Sequence, residues 1–303
     1  MNGDPARYTT PAALRAALED RLRHRAQDTG VPLDRLRKEV AHQRLLARLA
    51  AVAPEGAWVL KGGQALLARL DDAARATKDA DTTWRASRDA LREVIEAAGD
   101  CDLDDGFAFE VAVPEPLVAE TEQGGMRYPG LALLDGREFE RLQLDVNVAP
   151  HDTRPVENLR LRDLLGFAGI EPPEVPVIPP SQHLAEKLHA YTRRYASGMS
   201  SRPRDLFDML LIARLIPLPP ASAIVDAGRG TFELRETTWP PALQPPPPIW
   251  VSQWSAYVRD HVLPWATLDH AAAALAEFWQ PLLADQLALG SVWDAEAWAW
   301  SAP

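Results

Sequence analysis

Cysteine is all but missing from this chain. Cys101 stands alone, so no internal disulfide can form and no cysteine zinc site can be assembled. Long apolar runs are missing too. None approaches the roughly eighteen residues that a membrane span needs, and the amino terminus shows no apolar signal core. No membrane association is expected, and the expected location is the cytoplasm. The seven histidines show neither HExxH nor paired metal-ligand spacing. Lys61 precedes its two glycines and no GxxxxGK[ST] is present, which excludes a P-loop. No GxGxxG follows a strand, so a dinucleotide-binding fold has no support either. Positive charge is in deficit, with 32 Lys and Arg against 43 Asp and Glu and a net charge of -11. That balance argues against a surface coated for nucleic acid. One strip runs the other way: between Ser181 and Arg204 five basic residues (Lys187, Arg193, Arg194, Arg202, Arg204) face a single acid, Glu186. A basic strip on an acidic body attracts a phosphate-bearing partner at one place and repels it elsewhere.

What is present is ample for a folded core: 303 residues, 47% of them hydrophobic, with two domains as the prior from length. Thr10-Pro11 caps a helix expected from Ala12 to about Asp28. Asp34 opens a second, whose stripe of Ala41, Leu45, Leu49 and Val52 has helical spacing. Ala57 to Leu60 reads as a buried strand and Gln64 to Leu70 as a helix entered from the Gly62-Gly63 turn. Strands are expected over 78–84 and 107–113, with a helix capped by Ser87 between them. Asp135-Gly136 is a two-residue hairpin turn joining strands 127–134 and 137–148. Along the latter, Leu142, Leu144, Val146 and Val148 share one face, while Arg141, Gln143, Asp145 and Asn147 share the other. Glu171 to Pro180 holds five prolines and marks the expected domain boundary, with domains over 1–172 and 173–303. Beyond it, helices are expected over about 181–197, 204–216, 250–262 and 268–288. The six prolines of Pro240 to Pro248 read as a stiff connector. Of the carboxy-terminal tryptophans, Trp254, Trp265 and Trp279 are expected in a core. At least one of Trp293, Trp298 and Trp300 is expected to be exposed.

The chemistry concentrates in a few acids. Asp79 and Asp81, at i and i+2 on an expected strand, point to one side and can hold divalent cations. Asp145 on a later strand is a third carboxylate. Gly62 and Gly63 let backbone N–H groups at a helix start approach phosphates closely. Separately, a Gly-Gly after a strand is usually a turn and an Asp-x-Asp usually a solvated loop. Their order along the chain is what suggests nucleotidyl transfer. Lys187, Tyr191 and Arg194, at i, i+4 and i+7, are expected on one helical face, and Asp205 and Asp208 on one face of the next helix.

Five ordered blocks carry a resemblance. Trp58-Val-Leu-Lys61-Gly62-Gly63-Gln-Ala-Leu is followed by Arg75-Ala-Thr77-Lys-Asp79-Ala-Asp81 and Leu144-Asp145-Val146. Then come Leu184-Ala-Glu186-Lys187-Leu-His-Ala190 and Arg204-Asp205-Leu-Phe-Asp208-Met-Leu. Together, over about Val40 to Leu211, they resemble the AbiEii/AbiGii (MenT-type) nucleotidyltransferase toxins. The resemblance implies an α+β protein, with a polymerase-beta-like nucleotidyltransferase domain on a mixed β-sheet and a carboxy-terminal helical domain. It also implies a toxin–antitoxin system, with an antitoxin that often carries a winged-helix domain. Members of the MenT type add nucleotides, commonly pyrimidines, to the 3′ acceptor end of tRNA and so block aminoacylation.

Carried over by residue, the resemblance gives Asp79, Asp81 and Asp145 as metal ligands and catalytic acids, with Mg2+ as the ion. Gly62, Gly63, Lys187 and Arg194 contact the nucleoside triphosphate, for which CTP is a candidate. Asp205 orients Lys187 or assists the acceptor hydroxyl. Arg75, Arg193, Arg202 and Arg204 are the candidates for RNA phosphates. Two departures stand out. Gln64 follows the glycines where related proteins commonly carry a hydroxyl in or just after the pair, and Thr82 and Thr83 follow Asp81 where an apolar residue is usual. Two further functions fit the same residues: nucleotidylation of a protein or small molecule, and a nucleotide-binding regulator without catalysis.

Overall fold

The computed structural model describes residues 8, 10–75, 77, 79–117, 124–195, 198–199, 203–261 and 263–303. The chain forms two compact units, one of Met1–Asp71 with Arg75–Ile178 and one of Asp72–Ala74 with Pro179–Pro303.

The first unit opens with two helices, α1 (Pro11–Thr29) and α2 (Leu33–Val52). Thr10 caps α1 by accepting from the Ala13 N–H, with Pro11 in the first turn, as the sequence pattern requires. Then follow β1 (Trp58–Lys61), α3 (Gly62–Leu70), β2 (Ala80–Trp84), α4 (Arg88–Asp100), β3 (Phe107–Val111) and β4 (Glu115–Pro116). The unit closes with β5 (Gly125–Leu134), β6 (Arg137–Val148), β7 (Glu157–Arg160) and β8 (Glu174–Val177). Among the described residues these strands form one eight-stranded sheet in the order β3-β5-β6-β2-β1-β8-β7, with β4 also paired to β5. β2 runs parallel to β6 and β1 parallel to β8, while the other pairs are antiparallel. The sheet is therefore mixed. Asp135 and Gly136 both have positive φ, 58° and 65°, which gives the β5–β6 hairpin a turn whose twist matches its strands.

One sheet face is apolar. Leu142, Leu144 and Val146 of β6 are buried in a core with Leu18, Val40, Leu45 and Leu49 of α1 and α2 and with Leu91 and Ile95 of α4. α2 is buried well beyond a single stripe. Arg44 and Arg48 lie inside and both pair with Asp105, whose carboxylate also accepts from the Phe107 N–H. That network fixes α2 against the start of β3, at a desolvation cost that only full pairing offsets.

The expected boundary at residue 172 falls short of the observed one after Ile178. The proline-rich segment contains β8, which pairs with β7 and with β1 at Leu60↔Val177. Its prolines exclude a helix, but a short strand tolerates Pro176.

The second unit is mainly helical: α5 (Pro180–Thr192), the two-residue strands β9 (Arg194–Tyr195) and β10 (Gly198–Met199), α6 (Pro203–Leu215), α7 (Ala221–Leu234), α8 (Val251–Asp260) and α9 (Leu268–Leu283). α5 packs on α6 and α7, and α9 packs on α6, α7 and α8. α7 has no counterpart in the sequence reading, because its two glycines and short apolar side chains weaken the periodic signal. The carboxy-terminal segment is a hairpin of β11 (Val292–Asp294) and β12 (Ala299–Ser301). Trp254, Trp265 and Trp279 are buried, as expected. The expectation of an exposed tryptophan in the last segment is corrected. Trp293, Trp298 and Trp300 are half-buried, and their indole N–H groups donate to the carbonyls of Ala213, Ala274 and Phe278. Backbone acceptors on α6 and α9 hold these rings, so they brace the helices from outside.

Candidate active site

The register of four strands composes the site. Lys61 on β1 stands opposite Asp81 on β2, Asp81 beside Asp145 on β6, and Asp145 opposite Arg127 on β5. Residues paired laterally across a sheet point to the same side. Lys61, Asp81, Asp145 and Arg127 therefore form one row across the polar face, opposite the face that carries Leu144 and Val146. Asp79 sits on the bend just before β2, not within it as the i, i+2 pattern suggested. Its charge still reaches the row. Arg127 is held well above its ordinary value, chiefly by its hydrogen bonds to Asp145 working against burial, then by the charges of Asp145, Asp79 and Asp81. Three separate carboxylates thus act on one guanidinium.

Arg127 meets Asp145 as a fork: Nε donates to Oδ1 at 2.8 Å and Nη2 to Oδ2 at 2.7 Å. Arg141, which shares the polar face of β6 with Asp145, pairs with Glu138. Arg127 escaped notice because it comes from the neighbouring strand, and only the hairpin register brings it across. Thr82, buried beside the row, donates from Oγ1 to the carbonyl of Asp145 at 3.3 Å and so ties β2 to β6. That bond is a structural use for a hydroxyl at a position where an apolar residue was expected.

The glycine pair borders this row. Gly62 opens α3 at φ 64°, and a Cβ there would lie 2.1 Å from Asp81 Oδ2. A Cβ on Gly63 would lie 2.8 Å from Cβ and Oγ1 of Thr77. Both positions are closed to side chains, the first by backbone conformation as well. Asp81 consequently rests against the first backbone turn of α3. Lys61, the N-cap residue of that turn, makes no capping bond with its own side chain. Gln64 does not face the turn. It is buried, and its Nε2 donates to Nδ1 of His42 at 2.8 Å. Of the two groups that could stand in for a missing hydroxyl toward phosphate, the Gln64 amide and the backbone of the turn, the amide is engaged in the core. His42 is wholly enclosed, and burial lowers its pKa to about 4, with Lys38 adding to the effect.

A second charge centre lies within the helical unit. Lys187 on α5 donates from Nζ to Asp205 Oδ1 at 3.2 Å and to Asp208 Oδ2 at 2.6 Å, both on α6. All three side chains are buried. The expected stripe of Lys187, Tyr191 and Arg194 does not form, because α5 ends at Thr192 and Arg193 is already extended. Tyr191 turns inward, its hydroxyl donating to the Gln244 carbonyl and its ring edge-on to Trp250. The side chain of Arg194 and all of Arg202 lie outside the described residues. Arg75 and Arg193 are half-buried, and Arg204 is exposed.

Asp79 and Asp81 offer the hard oxygen donors that Mg2+ prefers, and the missing side chain at Gly62 leaves the Asp81 carboxylate its place against the turn. Among the described residues no three His, Cys, Asp or Glu side chains are grouped to hold an ion by themselves. Mg2+ bound to nucleotides commonly uses one or two protein carboxylates, with phosphates and water completing its shell. The residues present fit an ion of that kind. Among the described residues no helix is long and apolar enough to cross a membrane.

Comparison with known proteins bears on the fold and the family. The nucleotidyltransferase toxin MenT4 from Mycobacterium tuberculosis H37Rv has a similar fold, with a TM-score of 0.51 at 22% identity, over 71% of this chain and 68% of its own. An antigenic nucleotidyltransferase-like protein from Paracoccidioides brasiliensis gives 0.40 at 14% identity, over 66% and 89% of the two chains, too distant to add weight. No curated protein matches the sequence. The family model described as nucleotidyl transferase AbiEii toxin, type IV toxin–antitoxin system, matches residues 44–297. That span takes in the acid row, the glycine turn and the buried lysine, and the chain belongs to the AbiEii nucleotidyltransferase toxin family.

Proposed function

We propose that this toxin transfers a nucleotidyl group from a nucleoside triphosphate, with CTP as a candidate, to the 3′ acceptor end of tRNA and so blocks translation. The observation that carries the reading is the gathering of Asp79, Asp81 and Asp145 around Arg127, with Asp81 against the Gly62 turn. The N–H groups at the start of α3 receive the triphosphate, favoured by the helix dipole. A Mg2+ ion held by Asp79 and Asp81 would supply charge stabilisation to the phosphoryl oxygens and activate the acceptor hydroxyl. The 3′ oxygen attacks the α-phosphorus in line, one P–O bond forming as the bond to pyrophosphate breaks and the hydroxyl's proton passes to solvent water. Asp145 completes the acid row on the side of Arg127. Lys187, with Asp205 orienting it, is assigned to the triphosphate by the family resemblance, as is Arg194.

Arg75, Arg193, Arg202 and Arg204 are assigned to RNA phosphates, and binding through them weakens steeply with salt. Membership of a type IV toxin–antitoxin family implies a cognate antitoxin. We assign it a winged-helix domain, and assign the toxin to the cytoplasm. Incubation of the purified chain with each labelled triphosphate and total tRNA tests the reading. Labelled tRNA is the expected product. Label on a protein or small molecule instead, or nucleotide binding without transfer, rejects it.

A further inference from the structure

We infer that Arg127 is the site's built-in counter-cation: fixed by Asp145, it occupies the place of a second metal ion, so that this chain works with one divalent cation held by Asp79 and Asp81. The inference rests on the proposed reaction and divides the labour among its three acids. Both oxygens of Asp145 are engaged by the Arg127 fork, at 2.8 and 2.7 Å. The pairing is built into the sheet, since Arg127 and Asp145 are register partners in the β5–β6 hairpin and their backbones cannot drift apart. An ion on Asp145 would sit next to a guanidinium already held there, and like charges at that distance repel strongly in a partly dry site. Asp81 differs in kind, its carboxylate lying against a backbone turn where phosphate oxygens can complete the shell of an ion.

Charge balance points the same way. The row holds two cations, Lys61 and Arg127, against Asp81 and Asp145, with Asp79 adjacent. A divalent ion on Asp79 and Asp81 would add positive charge where a polyanionic triphosphate arrives, and Arg127 adds its own. Arg127 also reaches solvent, with about a third of its side chain exposed, while Asp145 beneath it is largely covered. A cation carried by the protein at that spot is available to the leaving or entering phosphate without being recruited from solution. Asp145 is on this account a positioning residue, acting through Arg127.

The test counts ions. Mn2+ is titrated into the intact chain by electron paramagnetic resonance, alone and with a non-hydrolysable nucleoside triphosphate analogue. Wild type should bind one Mn2+ per chain in both cases. Asp145→Asn should keep that ion with affinity changed only a few-fold, whereas Asp81→Asn should lose it. Arg127→Met, with Asp145 freed, should gain a second bound Mn2+. Arg127→Lys should stay at one while kcat falls and KM moves little, because the charge survives but the fork does not. Circular dichroism confirms that each variant is folded, and Arg127→Lys serves should Arg127→Met fail to fold. Two ions on wild type, or equal loss of Mn2+ in Asp145→Asn and Asp81→Asn, overturns the inference and leaves the reaction standing. Absence of any Mn2+ or analogue binding overturns both.

Discussion

The chain builds two charge centres from the same kinds of side chain and encloses them differently. In the sheet unit, Asp81 and Asp145 lie between Lys61 and Arg127 across neighbouring strands, with Asp79 on the bend before β2. In the helical unit one lysine is enclosed by two aspartates, all three buried. Strand register sets the spacing of the first centre, since each step across a sheet is about 4.8 Å. Such an array resists collapse onto itself. Helix pairing encloses the second centre. The difference teaches that strand register holds charges apart at a fixed spacing, while helix packing lets them close on one another and double as part of the fold.

Removing one acid from each centre should therefore have unlike results. Asp81→Ala should cost transfer about a thousandfold or more, as several kcal/mol of charge stabilisation disappear and each 1.4 kcal/mol is a factor of ten. Its stability toward urea should change far less than its activity. Radiolabel transfer and equilibrium unfolding on the same preparation check both halves. A marked loss of stability would erase the contrast.

In the helical unit the effect should appear in stability. Lys187→Met takes from the buried Asp205 and Asp208 the ammonium that both accept from, a class of change that costs about 3–5 kcal/mol. Neutralising the acids as well, in Lys187→Met with Asp205→Asn and Asp208→Asn, should recover much of that loss. Urea denaturation reads the difference. If the single variant is as stable as wild type, the lysine is not a structural ion and the two centres are alike after all.

Between these extremes lies the glycine turn. Gly62→Ala must accept a left-handed backbone that costs an L-residue about 1–2 kcal/mol. It must also place a methyl group where Asp81 Oδ2 now lies, 2.1 Å away. The carboxylate has to move. Transfer should fall by about a hundredfold, corresponding to nearly 3 kcal/mol, and Mn2+ affinity should fall with it. Gly136→Ala, also at positive φ but with open space around it, should lose stability alone. Comparing the two variants separates backbone strain from the displaced acid.

How much of this was legible beforehand depended on distance along the chain. Asp79, Asp81, the glycine pair and Asp145 were visible because type and order are local properties. The alternation of β6 put Asp145 on the polar face correctly. Arg127 was not visible, since its meeting with Asp145 depends on the register of a hairpin two strands long. The same limit hid the Asp105 network: Arg44 and Arg48 share the face of the apolar stripe of α2, where their charge argues against burial until Asp105 is brought to them. Pro176 concealed β8, because proline argues against strands in general and only the edge-like pairing at this place admits it. In the helical unit, Arg194 was misplaced because nothing in the sequence marks the end of α5 at Thr192. The bond of Gln64 to His42 is not legible in the sequence either, because its partner is on another helix.

That bond makes the sheet unit sensitive to acid in a way that sharpens the comparison last. His42 is neutral in the fold, its pKa lowered to about 4 by burial and by Lys38, while an unfolded histidine titrates near 6.5. Below 6.5 the unfolded chain binds a proton that the folded chain refuses. Stability from this group is therefore intact above pH 6.5 and declines as pH falls toward 4. Linkage puts the loss at about 2 kcal/mol by pH 5. His42→Gln keeps a side-chain acceptor for Gln64 and cannot take up a proton, so its unfolding free energy should vary less with pH across that window. His189 of the helical unit is also lowered to about 4, by burial and then by Arg235 and Arg193, so the full chain should retain some acid sensitivity in the variant. Urea unfolding followed at pH 8, 6 and 5 for both proteins measures the His42 share. An unchanged pH slope in His42→Gln would show that the helix beneath the glycine turn is held by packing alone, independent of this histidine.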